Sequence, residues 1–406
     1  MYIQRHMESK VKELSKQYPV VMVYGQRQVG KSTMLHHIME PNRRYVTLDN
    51  IRARQLAQTD PELFLETFGY PLLIDEFQRE PSILIEIKRI VDQKKMNGDE
   101  CNGMFWLTGS QKFKMMSGVS ESLAGRVGIL ELAGLSENEI EGNEAKVFKP
   151  NIDALKKQKP KNSNIHKIYE KIFRGSMPEV VINKVDREQY YQDYINTYLE
   201  RDIKELSGVG KLNEFANFLI FMAARTGQEL NYSEISKAIG ISAVTAKEWI
   251  SILERSGVIY ILRPYFNNIT KRLVKKPKVY FMDTGLASYL CRWPNAEVLE
   301  NSNMDGAFFE TYVITEIVKS HLNAGLDSHL YYYRDVDGKE IDLLMVDADT
   351  IYPIEIKKAK NPENAEKNFK VINKLDKKLG TGLIICTCDE LMPCSRDVWY
   401  CPIGLV

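Results

Sequence analysis

The chain has 406 residues, 44% of them hydrophobic and 27% charged, with a formal net charge of +1. That length accommodates two or three domains, and the composition is that of an ordinary globular protein. The near-neutral balance excludes a global basic signature for nucleic acid, so any such contact needs a local patch.

In chain order, Met1-Tyr2-Ile3-Gln4-Arg5 lacks the apolar stretch of a secretory leader, and no later run is long enough to span a bilayer. The expectation is a cytoplasmic, reduced protein. Pro19 to Tyr24 is an apolar, β-branched run that reads as a buried strand, and Thr33 to Ile38 reads as the first turns of a helix. Between them Gly25-Gln26-Arg27-Gln28-Val29-Gly30-Lys31-Ser32 fits G-x-x-x-x-G-K-S/T, the loop that wraps nucleotide phosphates. Gly25 and Gly30 permit a tight loop and close backbone approach. Main-chain N–H groups, with Thr33 completing the helix start, face the phosphates; Lys31 neutralises charge and Ser32 offers its hydroxyl to Mg²⁺.

Tyr70 to Glu76 is an apolar run ending in two acids. A parallel strand there delivers Asp75 beside Ser32, on Mg²⁺, while Glu76 points differently because strand side chains alternate, and is the candidate to polarise an attacking water. Met104 to Thr108 reads as a strand between the two motif strands, leading to Ser110 and Gln111, candidates to sense the γ-phosphate or hold the water. Arg126, after Ala124-Gly125, is either a surface or packing arginine or a finger acting in trans.

The ordered set GQRQVGKST, LLIDEFQ, FWLTGSQ and SLAGRV resembles the AAA+ type P-loop ATPases. It is similar in particular to bacterial and archaeal ATPases that carry a C-terminal domain of unknown function. Three later segments also match: Arg174 to Glu179, Tyr198 to Ile203, and Val279 to Leu286. The resemblance implies ATP and Mg²⁺ as cofactors, Glu76 as hydrolytic base and Arg126 as a possible finger. It supplies no defined substrate.

Residues 141–165 are polar and lysine-rich, a linker or insertion. From Ile165 to Leu206 the spacing is helical. Asn231 to Ile239, a Gly240-Ile241-Ser242 turn, Ala243 to Ser256 and Gly257 to Leu262 give the helix, turn, helix, strand order of a winged helix. Such a module either reads DNA with its second helix or serves protein contacts. Lys271-Arg272 and Lys275-Lys276-Pro277-Lys278 form the local basic stretch best placed for phosphate-backbone contact.

Met304 to Leu322 reads as a helix. Strands follow at 330–334, 340–346 and 351–357, then a helix at about 362–375 and a strand at 382–386. This order, with Asp342, Glu355 and Lys357, resembles the restriction-endonuclease-like fold, in which two carboxylates hold Mg²⁺ and a lysine orients water. Glu355 and Lys357 lie two apart, on one strand face. Glu310 is a further candidate ligand and Glu316 a weaker one. The six cysteines show no paired C-x-x-C; Cys386, Cys388 and Cys394 read as core thiols near a late strand.

The expected architecture is α/β: a P-loop NTPase parallel sheet at 1–140, a linker and helical lid at 141–210, a winged helix at 211–290, and an α/β restriction-endonuclease-like domain at 291–406. The leading expectation is an Mg-dependent ATPase acting on nucleic acid (DNA), with a homo-oligomer if Arg126 works in trans. The alternatives are an ATP-controlled regulatory switch or assembly protein, working with a protein partner, in which the nuclease-like domain is degenerate, and an ATP-gated nuclease.

Overall fold

A computed structural model describes the chain except residues 111–121, 161–163, 184, 199–211, 267–275 and 376. It divides into two compact units. The first is Met1–Lys146 with Arg255–Gly257 and Lys319–Leu326; the second is Val147–Glu254, Val258–Val318 and Asp327–Val406.

The first unit is built on five strands: β1 (Val20–Tyr24), β2 (Arg44–Thr47), β3 (Leu72–Asp75), β4 (Phe105–Gly109) and β5 (Val127–Glu131). They form a parallel sheet in the order β2-β3-β4-β1-β5. Every residue of β1, β3 and β4 is buried, as expected of parallel strands covered on both faces. Alternate residues Val20 and Met22, Leu72 and Ile74, Phe105 and Leu107 share a core cluster with Phe64, Leu84, Ile87 and Val91. Each such side chain contributes about 1.5–3 kcal/mol on burial. Because all five strands run the same way, Tyr24, Asp75 and Gly109 end on one edge, where ligands bind in open α/β sheets. As expected, β4 lies between β1 and β3.

The second unit carries a mixed ten-stranded sheet. Its strands are β6 (Gln228–Glu229), β7 (Ile259–Pro264), β8 (Lys278–Phe281), β9 (Leu330–Arg334), β10 (Glu340–Asp347), β11 (Thr350–Ile356), β12 (Lys378–Leu379), β13 (Gly382–Cys386), β14 (Met392–Pro393) and β15 (Val398–Pro402). The order is β14-β15-β13-β11-β10-β9-β7-β8-β6, with β12 beside β11. The helical run expected from Ile165 is broken: helices cover Ile165–Arg174, Pro178–Ile182 and Arg187–Tyr198. Gly175 takes φ +81° at the first break, a conformation that L side chains disfavour.

Helices Leu212–Ala223, Tyr232–Ile239 and Ala243–Arg255 precede the antiparallel β7–β8 pair. Phe215 and Phe218 pack edge-on against Trp249, with ring centroids 4.9 and 5.3 Å away. The Asp305–Asn323 helix as far as Val318, the antiparallel β9–β10–β11 meander, and β13 and β15, parallel to β11 and to β13 respectively, complete the unit. The helix expected near 362–375 is a 3-10 helix, Ala365–Lys374. It sets Phe369 and Ile372 on Ile341, Leu344 and Ile384.

Candidate functional sites

The phosphate-loop motif occupies the turn between β1 and the Lys31–Ile38 helix. Gly25 has φ +152°, and a β-carbon there would meet the Leu132 carbonyl oxygen at 2.0 Å, so only glycine fits. Gly30 is left-handed at φ +91° and leaves the helix start without a side-chain cap. No side chain caps the first helical N–H groups, the arrangement that suits an anion. Lys31 is buried and its ammonium donates to the Gly25 and Gln26 carbonyls at 3.0 and 2.8 Å. Gln26 and Val29 are buried, Arg27 is half-buried, and Gln28 and Thr33 are exposed.

The Ser32 hydroxyl donates to Asp75 Oδ1 at 2.7 Å. Thr108 donates to the same oxygen from β4, and the Tyr45 hydroxyl donates to Asp75 Oδ2 at 3.1 Å. Burial, with Asp75 nearby, pushes the Tyr45 phenol up to about 12. Glu76 turns away from β3 at φ +54°, so its separate direction comes from a left-handed backbone rather than from strand alternation. Burial raises the Glu76 carboxyl, Lys31 opposes that, and the net shift is upward. The Ser110 hydroxyl, beyond β4, is buried and has no hydrogen-bond partner among the described residues. Gln111 lies outside the described residues.

These features fit a magnesium nucleotide: hard oxygen donors at Ser32 and Asp75, a helix start with no side-chain cap, and a buried hydroxyl without a partner among the described residues. Arg126 is engaged within its own unit. Its Nε and Nη2 donate to Asp92 Oδ1 and Oδ2 at 2.6 and 3.0 Å, and Nη1 donates to the Ala124 carbonyl at 2.9 Å. Thr108 and Tyr45 were missed by sequence reasoning. Thr108 is visible as a polar residue closing an apolar strand, whereas Tyr45 gives no signal on the short strand β2.

The second unit gathers the other polar cluster. Asp342 sits where the β9–β10 register shifts between Ile341 and Leu344, an irregularity that re-aims side chains. Lys357 donates to Asp342 Oδ2 at 3.0 Å and to Glu355 Oε2 at 2.7 Å, and the Ile356 N–H donates to Asp342 Oδ2 at 2.9 Å. Burial and then Asp342 push Glu355 up to about 9. Burial opposes ionisation of Asp342, but Lys357 outweighs it and holds the carboxyl below its ordinary value.

Glu310 accepts from Lys278 at 3.3 Å and from the Tyr280 hydroxyl at 2.6 Å, and burial lifts it to about 7 against the pull of Lys278. Glu316, on the same helix, is buried. Among the described residues no group of three or more His, Cys, Asp or Glu side chains stands ready to hold a metal ion. The expected Glu310, Asp342 and Glu355 set is instead split, with Lys357 bridging two members and Lys278 holding the third.

Lys278 also corrects the basic stretch. It is 4% exposed and pairs with Glu340 at 2.6 Å as well as with Glu310, so it offers no charge to a phosphate backbone. Lys276 is exposed, while Lys271, Arg272 and Lys275 lie outside the described residues. Residues 199–203 of the Tyr198 to Ile203 segment also lie outside them. The other two matching segments meet at Asp283, which accepts from Ser176 N and Oγ, the Tyr191 hydroxyl and Leu286 N at 2.6–2.8 Å. This buried node ties helices together, which is a packing role. Cys386 closes β13 and is buried with Cys388, whereas Cys394 is half-buried. Among the described residues no helix is long and apolar enough to cross a membrane.

Residues 17–141 match the AAA domain family, and the first unit is a parallel-sheet α/β domain of the P-loop NTPase type. Residues 165–297 and 305–406 match two domains of unknown function, DUF8612 and DUF4143. Uncharacterised proteins of Mycobacterium bovis and Mycobacterium tuberculosis are each 28% identical over 348 residues, covering 85% of this chain and 71% of theirs. A Walker-type ATPase of Pyrococcus abyssi aligns over 71% of this chain and 96% of its own, at 13% identity and a TM-score of 0.43. That likeness is loose, and the fold assignment rests on sheet order and the family match.

Proposed function

We propose that the chain binds ATP with Mg²⁺ and hydrolyses it. The observation that carries this reading is the loop Gly25–Ser32, with Lys31 folded onto its carbonyls and Ser32 hydrogen-bonded to Asp75. Lys31 would exchange its loop carbonyls for phosphate oxygens. Ser32 and Asp75 would hold Mg²⁺, which supplies neutralisation of phosphate charge. Glu76 would accept a proton from the attacking water and Ser110 would contact the terminal phosphate. For Arg126 to act as a finger on a neighbouring copy, it must first leave Asp92.

The physiological reading we favour is ATP turnover directed at nucleic acid. The helix, turn, helix and β7–β8 hairpin order supports a winged helix, with Lys247 on its second helix and Lys276 exposed near the hairpin. Turnover measured with and without added DNA tests it: stimulation that fades steeply with salt supports this reading, and no DNA binding at low salt favours a protein-assembly switch. A second reading, an ATP-gated nuclease, is favoured by one observation, the Asp342–Lys357–Glu355 contact.

A further inference from the structure

We infer that Arg5 is a positioning residue for the phosphate loop; the inference rests on reading Gly25–Ser32 as a nucleotide site. Arg5 lies three residues before the Glu8–Ser15 helix and is 3% exposed. Its Nη1 donates to the Val29 carbonyl at 2.7 Å, inside the loop. Its Nη2 donates to the carbonyls of Ala133 and Gly134 at 2.8 and 3.3 Å. Its Nε pairs with Glu139 Oε1 at 3.1 Å.

The consequence follows from peptide geometry. In a planar trans peptide the Gly30 N–H points opposite to the Val29 carbonyl. Fixing that carbonyl fixes the direction of an amide in the loop that wraps phosphates. The Ala133 and Gly134 carbonyls follow Leu132, whose own carbonyl stands against Gly25. One guanidinium therefore joins the middle of the loop to the chain that packs on its first glycine. A rigid fork of five N–H donors can do this at once, and an ammonium cannot.

Glu139 neutralises the buried guanidinium, while the Val29, Ala133 and Gly134 carbonyls hold its direction. It is 2% exposed and also accepts from His6 N and Ser136 N, both at 2.8 Å. The same N-terminal segment touches the following helix, where the Tyr2 ring stacks on His37 with centroids 3.9 Å apart.

The test is titration of the full chain with a fluorescent ATP analogue and Mg²⁺, beside thermal melting, for wild type, Arg5→Lys and Glu139→Gln. Arg5→Lys should lose nucleotide affinity about tenfold, equivalent to about 1.4 kcal/mol, while Glu139→Gln melts earlier but keeps wild-type affinity. Arg5→Lys binding as wild type, or both variants losing affinity in step with melting, would reduce Arg5 to a structural brace and overturn the inference. Should Arg5→Lys not fold, hydrogen exchange on the wild type decides. Nucleotide should slow exchange of the amides of residues 5–8 together with those of the loop, because coupling is reciprocal. Slowing confined to residues 25–33 overturns the inference. A wild type that binds no nucleotide overturns the underlying reading of the site, a separate result.

Discussion

The Ser32 hydroxyl and the Asp75 carboxylate, 43 positions apart, meet at 2.7 Å. This contact joins the helix that follows the phosphate loop to the end of β3, and Thr108 reaches the same Asp75 oxygen from the strand between. Asp75→Asn keeps the shape and removes the charge. Turnover with Mg²⁺ should fall about a hundredfold, the scale of one preorganised electrostatic contact. Steady-state kinetics across Mg²⁺ concentrations check this, and wild-type turnover would remove Asp75 from the site.

Glu76 separates binding from hydrolysis. Glu76→Gln should retain ATP affinity and lose turnover, measured as equilibrium binding beside single-turnover hydrolysis. A base works deprotonated, and burial lifts this carboxyl, so the acidic limb of the kcat profile should lie at higher pH than an ordinary glutamate gives. Turnover rises as pH climbs through that limb. A profile flat across the carboxylate range would assign the base elsewhere.

Arg126 presents a choice between a brace and a finger. Its bidentate pair with Asp92 occupies the donors that a neighbouring copy's nucleotide would need. Lys31→Ala and Arg126→Ala proteins, each inactive alone, should recover turnover when mixed if the arginine acts in trans. No recovery on mixing leaves Arg126 as the partner of Asp92.

The Arg5–Glu139 pair sets an acid limit on the first unit. Burial opposes ionisation of Glu139, but Arg5 and the Ser136 and His6 N–H groups outweigh it, so its folded carboxyl lies below its ordinary value. A depressed carboxylate contributes stability that is complete above its unfolded pKa of about 4.3 and is lost as pH falls through the folded value. Glu139→Gln should therefore melt earlier at neutral pH, with the gap to wild type closing in acid. Melting curves from neutral pH into that acid range check the sign, and a gap that widens in acid would contradict it.

Local chemistry was the legible part of this chain. The loop, the strand before it and the acids at the end of β3 are each written in a few adjacent residues, and β4 followed from one apolar run. Contacts set by the long-range path of the chain were not legible. Lys278 sits in a lysine-rich stretch that reads as exposed, yet β8 lies inside the sheet between β7 and β6, and its lysine meets Glu310 of the Asp305–Asn323 helix and Glu340 of β10. Arg5 looks like an unremarkable terminal arginine because its partners lie 24 to 134 positions away. The helical pattern from Ile165 hid the break at Gly175, whose neighbours Tyr191, Asp283 and Gly285 come from distant segments.

The most direct test of the central claim is ATP binding and hydrolysis by the wild type and Lys31→Ala, with Mg²⁺, on samples that melt alike. The wild type should bind and turn over ATP, and Lys31→Ala should do neither measurably. Equal turnover by the two proteins, or no binding by the wild type, would contradict the assignment of Gly25–Ser32 as the nucleotide site.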